Sequence, residues 1–340
     1  MTFEVADPGH HYRSVRLWQE VRVPGDQLDF TYVGAEWVLT LDRPPVRRME
    51  YLLELTHGDG GSETVPDPGN PVRVDGAFGV HSVLEFPDYL LPAWLDAPAT
   101  GSRWRMLTVP GRALKAAVDV RLWSPATVPA DQPLPLLVAH DGPEYDALSA
   151  LTRYSGAGIA SGALPPHRLA LLAPGDRNEW YSCSTPYASA LAAAVLPALH
   201  MIAPTRGPTV GMGASLGALA MLHAQRRHPG SFGALFLQSG SFFRPRLDGQ
   251  EARFGRYQRI VRFVNDTLRA GLAGESIPVA MTCGGIEPNV ANNRLMVRAL
   301  AAQGYDARLE EVPDVHNYTA WRDAFDPHLT RLLSSVWSPG

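Results

Sequence analysis

The stretch VGMGASLGALAMLHA, residues 210–224, constrains this chain more than any other. A short apolar run ends in Gly-x-Ser-x-Gly and passes at once into good helix formers. Gly213 and Gly217 flank Ser215 two residues away on each side, and Gly211 and Ala214 keep the surroundings small. A sharp strand-to-helix turn needs that lack of side chains, because Cβ atoms would collide. The turn holds the serine hydroxyl out at the C-terminal edge of the strand and at the N-terminus of the helix, which is the geometry of a nucleophile elbow.

The 340 residues fit two domains. LDFTYVG, EWVLTLD, RMEYLLELTH and SVLEFPD are short, rich in β-branched and aromatic residues, and broken by Gly, Pro and Asp. HGDGGSE is a hairpin signal, and no amphipathic helix is evident before residue 140. Residues 1–105 therefore read as an all-β, Ig-like sandwich, with LDAPATGSRWRM as the linker. Residues 106–340 alternate short apolar runs with helical segments. PLPLLVAHDG, RLALLAPGD, GPTVGMG, GALFLQSG and IPVAMTCGG are the runs. TPYASALAAAVLPALHMI is a helix expected to be capped by Thr185, with Pro186 in its first turn. The alternation predicts an α/β fold with a mostly parallel sheet covered on both faces.

Several classes are excluded at this level. A formal charge of −4 gives no reason to expect nucleic acid or an anionic membrane as partner. Two cysteines, Cys183 and Cys283, are no disulfide framework. The N-terminal segment has no basic start and apolar core, and no run is judged long and apolar enough to span a bilayer. A cytoplasmic protein with no membrane partner is the expectation, and the sequence leaves its oligomeric state open.

A serine hydroxyl needs a base, and the base an orienting acid. On an α/β-hydrolase sheet these follow in the order nucleophile, acid, base, each after a strand. Ser215 comes first, Glu287 in MTCGGIEPN second, and His316 in DVHNYTAW last. Asp314 is the alternative acid, but two residues before His316 it is awkwardly placed for Nδ1 of that ring. His223, His228 and His328 fall on helices, and Cys283 lacks an elbow, so it reads as a small buried residue. No metal or organic cofactor is called for.

Taken together, VGMGASLGALAMLHA, GALFLQSGSFF, CGGIEPN with NNR, VHNYTAWR and DRNEWYSCSTPYASALAAAVLP resemble the enterochelin esterase branch of the esterase D-type α/β-hydrolases. The front part, with MEYLLEL, GDGG and VPDPGNP, is similar to the N-terminal domain of those esterases, itself like a carbohydrate-binding sandwich. The resemblance implies a serine esterase acting on a small-molecule ester, with Ser215 and His316 as nucleophile and base and Glu287 as acid. Its leading reading is an intracellular siderophore esterase. An acyltransferase or an acyl-sugar (feruloyl or acetyl) esterase is the alternative, and a weakly catalytic binding protein on a hydrolase fold is a second.

Two features refine the site. Arg177, Glu179, Trp180 and Tyr181 follow the strand LALLAPG, and His140 stands at another strand end. An arginine beside aromatics suits an aromatic or anionic substrate. The same residues also read as an Arg–Glu pair stiffening a loop beside a packed Trp. For the oxyanion, the Leu216 N–H is one donor. The resembled enzymes take the second from the residue after an LLDG-like loop. Here His140-Asp141-Gly142 is followed by Pro143, which has no N–H. A shifted loop is expected, with the N–H of Gly142 or Glu144 near that of Leu216.

Overall fold

Period-two alternation builds the first quarter of the chain in the computed structural model, which describes residues 1–21, 23–272 and 276–337. Its strands are β1 (Thr2–Ala6), β2 (Tyr12–Gln19), β3 (Thr31–Val33), β4 (Glu36–Thr40), β5 (Arg48–His57), β6 (Ser62–Val65), β7 (Arg73–Gly76) and β8 (Gly79–Glu85). β1 buries Phe3 and Val5 and exposes Thr2, Glu4 and Ala6, as a strand with one face on a core should. The strands form two antiparallel sheets, β1-β4-β3 and β2-β5-β8-β7, with β6 paired to β5. Phe3, Val15, Leu17, Leu39, Met49 and Leu53 share the core between them. The hairpin signal joins β5 to β6, with Gly60 at φ 89°.

Two later segments pack with this sandwich. The chain divides into one unit of Met1–Leu90, Gly284–Glu287 and Pro313–Ala320, and a second unit of all the rest. Val315 lies in the sandwich core, Ile286 packs against it, and the Arg47 N–H donates to the Pro313 carbonyl at 3.0 Å. The loops that carry Glu287 and His316 thus belong with the first unit.

The second unit holds β9 (Ser102–Gly111), β10 (Ala116–Pro125), β11 (Leu136–Ala139), β12 (Arg168–Leu172), β13 (Val210–Ala214), β14 (Ala234–Gln238), β15 (Pro278–Gly284) and β16 (Asp306–Val312). They form one sheet in the order β16-β15-β14-β13-β11-β12-β10-β9. β12, β11, β13, β14 and β15 run parallel, while β10 is antiparallel to both β12 and β9. Every residue of β11, β12, β13 and β14 is buried, which explains why these strands read as continuous apolar runs. Residue 105, where composition divides the chain, falls inside β9, so the sheet begins earlier than that boundary.

The helices are α1 (Gly142–Ser149), α2 (Leu151–Ser161), α3 (Arg177–Trp180), α4 (Thr185–Ala190), α5 (Leu196–Ile202), α6 (Leu216–Arg227), α7 (Tyr257–Arg269), α8 (Val290–Ala302), α9 (Tyr318–Asp323) and α10 (Thr330–Trp337). Two expectations about α4 need correction. Its cap is Ser184, whose Oγ accepts the Tyr187 N–H at 3.4 Å, with Thr185 already helical. A wide turn joins α4 to α5, and the resulting helix, Thr185–Ile202, is by length and composition long and apolar enough to cross a membrane. Its apolar surplus faces inward: Tyr187, Ala188, Leu191, Val195, Leu196 and Leu199 lie in the core of the second unit.

Candidate active site

Ser215 sits at φ 55° and ψ −122°, the first departure from the extended backbone of β13 before α6 begins. A non-glycine residue held there stores about 1–3 kcal/mol of strain, which the surroundings must hold in place. Three backbone hydrogen bonds do so: the Ser215 N–H donates to the Gln238 carbonyl at 2.9 Å, and the Ser215 carbonyl accepts the N–H of Ser241 at 3.1 Å and that of Leu219 at 3.2 Å. The glycines are required by close approach. A Cβ on Gly213 would lie 2.6 Å from the Gly217 carbonyl, and one on Gly211 would lie 2.5 Å from Met221 Sδ. The Ser215 hydroxyl is half-buried, with Oγ 3.0 Å from Ser241 Oγ. Leu216 opens α6, where an N–H has no acceptor within the helix.

The His140–Pro143 loop packs against that helix start. A Cβ on Gly217 would meet His140 Cβ at 3.2 Å and Asp141 Oδ2 at 3.3 Å. His140 is fully buried, and burial pushes its pKa down to about 4, so the ring is neutral. Its Nδ1 lies 2.9 Å from the Gly217 carbonyl, to which a neutral ring donates. Asp141 adopts a left-handed conformation at φ 49°. Its carboxylate takes two hydrogen bonds from Arg177, at 2.9 and 2.8 Å. Gly142 then opens α1 under Leu171, whose Cα would lie 2.3 Å from any Cβ there. Pro143 occupies the first turn of α1, where its missing N–H removes no helical bond. Burial raises the pKa of Glu144.

The residues read as substrate contacts also have partners within the protein. Arg177 pairs with Asp141, while Glu179 pairs with Arg256 at 2.5 Å and Arg259 at 2.7 Å. Trp180 and Tyr181 are buried in the core, and Tyr181 packs beside His140 with ring centroids 4.5 Å apart. The Tyr181 hydroxyl accepts the Asp141 N–H at 3.2 Å. His140, Trp180 and Tyr181 therefore support the loop from behind. Arg177 and Glu179 keep side chains about one-third exposed, at 35% and 34%.

In the first unit, His316 Nδ1 lies 2.5 Å from Glu287 Oε2. The other carboxylate oxygen of Glu287 accepts the Gly284 N–H at 2.5 Å. Glu287 is 1% exposed, whereas His316 is 31% exposed, so the ring has a buried side against the acid and an open side. That arrangement directs the Nδ1 proton toward the carboxylate. Asp314 turns Oδ1 to the Val315 N–H at 2.8 Å. Cys183 and Cys283 are buried thiols that form no disulfide, and burial pushes the Cys183 thiol well up. Among the described residues, no group of three His, Cys, Asp or Glu converges to hold a metal ion.

Sequence reasoning missed Ser241, the role of Asp141, and the residues of the sandwich that meet the His316 loop. Ser241 could have been found, since GALFLQSGS ends a sheet strand next to β13. Arg48 could not, being 268 residues from His316 in the chain and unmarked by any motif.

The iron(III) enterobactin esterase of Escherichia coli strain K12 is 26% identical over 302 residues, covering 82% of this chain and 68% of that one. That of Dickeya dadantii is 28% identical over 222 residues, or 59% of this chain and 49% of the relative. The crystal structure of the enterobactin esterase from Shigella flexneri in the presence of enterobactin superposes with a TM-score of 0.77 at 20% identity, covering 99% and 92% of the two chains. A ferulic acid esterase matches 69% of this chain and 98% of its own at a TM-score of 0.55 and 15% identity. The model of the family described as "Putative esterase" matches residues 111–332. The chain belongs to that family, and it is a carboxylic ester hydrolase.

Proposed function

We propose that this chain is a serine esterase that opens the ester bonds of a siderophore. Ser215 is the nucleophile, His316 the general base and Glu287 the acid that orients it. The observation that carries the chemistry is the positive-φ elbow at Ser215, a strained conformation at the turn from β13 into α6. The relatives named iron(III) enterobactin esterase support the choice of a siderophore.

His316 Nε2 takes the Ser215 proton as Oγ attacks the ester carbonyl, and Glu287 stabilises the imidazolium that results. The oxyanion is met by the N–H of Leu216 and that of Gly142, each in the first turn of a helix. The N–H of Glu144, in the same first turn of α1, is the alternative second donor. Collapse of the intermediate passes the imidazolium proton to the alcohol that leaves. Water, deprotonated by His316, then releases the acid and restores the serine. Ferric iron in such a reaction is cargo of the substrate. A cytoplasmic location is part of the reading, and cell fractionation tests it.

The test compares a ferric catecholate trilactone with acetylated and feruloylated sugars under identical conditions, with Ser215→Ala as control. The proposal expects the trilactone to have much the highest kcat/KM. A clear preference for the sugar esters would move the assignment to the acyl-sugar class, and turnover unaffected by Ser215→Ala would remove the nucleophile.

A further inference from the structure

A line of buried charge runs through the sandwich to the loop of the base. Arg48, at the start of β5, is 2% exposed. Its Nη2 lies 2.9 Å from Glu50 Oε1, and the second oxygen of Glu50 lies 2.9 Å from His81 Nδ1. Its Nη1 lies 3.3 Å from Asn317 Oδ1 and 3.9 Å from Asp314 Oδ2. Asp314 and Asn317 stand on the two sides of His316 in the chain. Arg47 adds the bond to the Pro313 carbonyl, and Asn317 Oδ1 also accepts the Ala320 N–H at 2.8 Å. Glu20 lies beside Asn317 as well, with Oε2 closed to water and without a hydrogen-bond partner.

Stability gives no reason to keep such a network. Buried ion pairs are often replaced by apolar residues at no cost, because desolvation offsets the attraction. Position gives one. A planar guanidinium can hold acceptors at both ends of a short loop at once, which an ammonium cannot do as well. The loop it spans carries the open-sided ring of His316, which has to stay on Glu287 while its far nitrogen moves protons.

We propose that Arg48 is a positioning residue for His316, holding Asp314 and Asn317 from the sandwich so that the ring keeps its line to Glu287. The inference rests on the reading of His316 as the base.

Arg48→Met, Arg48→Lys and His316→Ala are compared with the full-length wild type on p-nitrophenyl butyrate. Active sites are counted by complete titration with diethyl p-nitrophenyl phosphate. Arg48→Met is expected to lower kcat per titrated site roughly 10- to 100-fold, with KM within about twofold, as a base displaced by about an ångström would. Arg48→Lys, which keeps the charge against Glu50, is expected to fall in between. A loss explained wholly by fewer titrated sites, with wild-type kcat per site, overturns the inference and leaves Arg48 a structural role. Should Arg48→Met fail to fold, Arg48→Lys decides by the same criterion. A His316→Ala variant that keeps its activity sinks the reading of the base instead, so the two failures are distinct.

Discussion

Gly284→Ala asks how tightly the acid and base loops are fitted. A Cβ at residue 284 would lie 2.3 Å from the Asp314 carbonyl oxygen, 3.0 Å from its carbon and 3.1 Å from Glu287 Oε1. Ordinary contact for such atoms begins near 3.4 Å, so a gap of about 1 Å must open. Neither neighbour can swing away. One is backbone next to the His316 loop, and the other is the carboxylate already bonded to Gly284 N–H and to His316. The backbone of Gly284 is not in the left-handed region, so the cost comes from contact alone. Overpacking of this kind destabilises by about 1–3 kcal/mol. The larger effect is on rate, since a displacement of about 1 Å costs about 100-fold, or about 2.7 kcal/mol of barrier. The assay is kcat per titrated site on p-nitrophenyl butyrate, with thermal melting in parallel and Gly271→Ala, which meets nothing within 4 Å, as control. A Gly284→Ala enzyme within about threefold of wild-type kcat would refute the reasoning.

Other outcomes follow from the same arrangement. Ser215→Ala should abolish turnover with the fold intact by circular dichroism, and residual activity near wild type would contradict it. Glu287→Gln should cost less in kcat than His316→Ala, because the base retains its place; equal losses would mean that the acid does more than orient. Burial and the charge of Glu50 raise Glu20 to about 7, against the opposing charges of His316 and His81. The native state then keeps a proton that the unfolded chain releases, so Glu20 lowers stability as pH rises from about 4.5 to 7. Denaturation of Glu20→Gln across that window should show it gaining on the wild type by up to about 3 kcal/mol, at 1.36 kcal/mol per unit, and a constant difference would contradict the assignment. His140, pushed by burial to about 4, works in the other direction: the unfolded chain takes up a proton below about 6.5 that the native ring refuses. Its contribution is whole above pH 6.5 and lost toward pH 4, and an NMR titration showing the ring protonated near 6.5 would overturn this.

What the sequence revealed, it revealed where sterics leave few choices. Gly211, Gly213 and Gly217 are dictated by atoms within 3.3 Å, so the elbow was legible as a pattern. The chain order of Ser215, Glu287 and His316 follows from strand succession, and the continuous apolar strands declare a buried parallel sheet. Less legible were the features that depend on partners far away in the chain. Arg177 near Glu179 suggested a local pair, yet each is drawn to a different charge, Asp141 or Arg256 and Arg259. Trp180 and Tyr181 at a strand end read alike whether they face a cleft or a core. β2 carries two arginines in YRSVRLWQ and looks polar, although Val15 and Leu17 alternate into the sandwich. That the acid and base loops pack with the sandwich could not be read at all, because Val315 and Ile286 carry no sign of their distant neighbours.

The central claim is that Ser215 is the one nucleophile for ester cleavage. Its most direct test is peptide mapping by mass spectrometry after reaction with diethyl p-nitrophenyl phosphate, with hydrolysis of p-nitrophenyl butyrate and of a ferric catecholate trilactone followed on the same sample. The account predicts one phosphoryl group per chain, on the peptide holding Ser215, with both activities lost in proportion and no label on Ser215→Ala. Label on Ser241, whose hydroxyl lies 3.0 Å away, or full activity in a fully labelled sample, would contradict it.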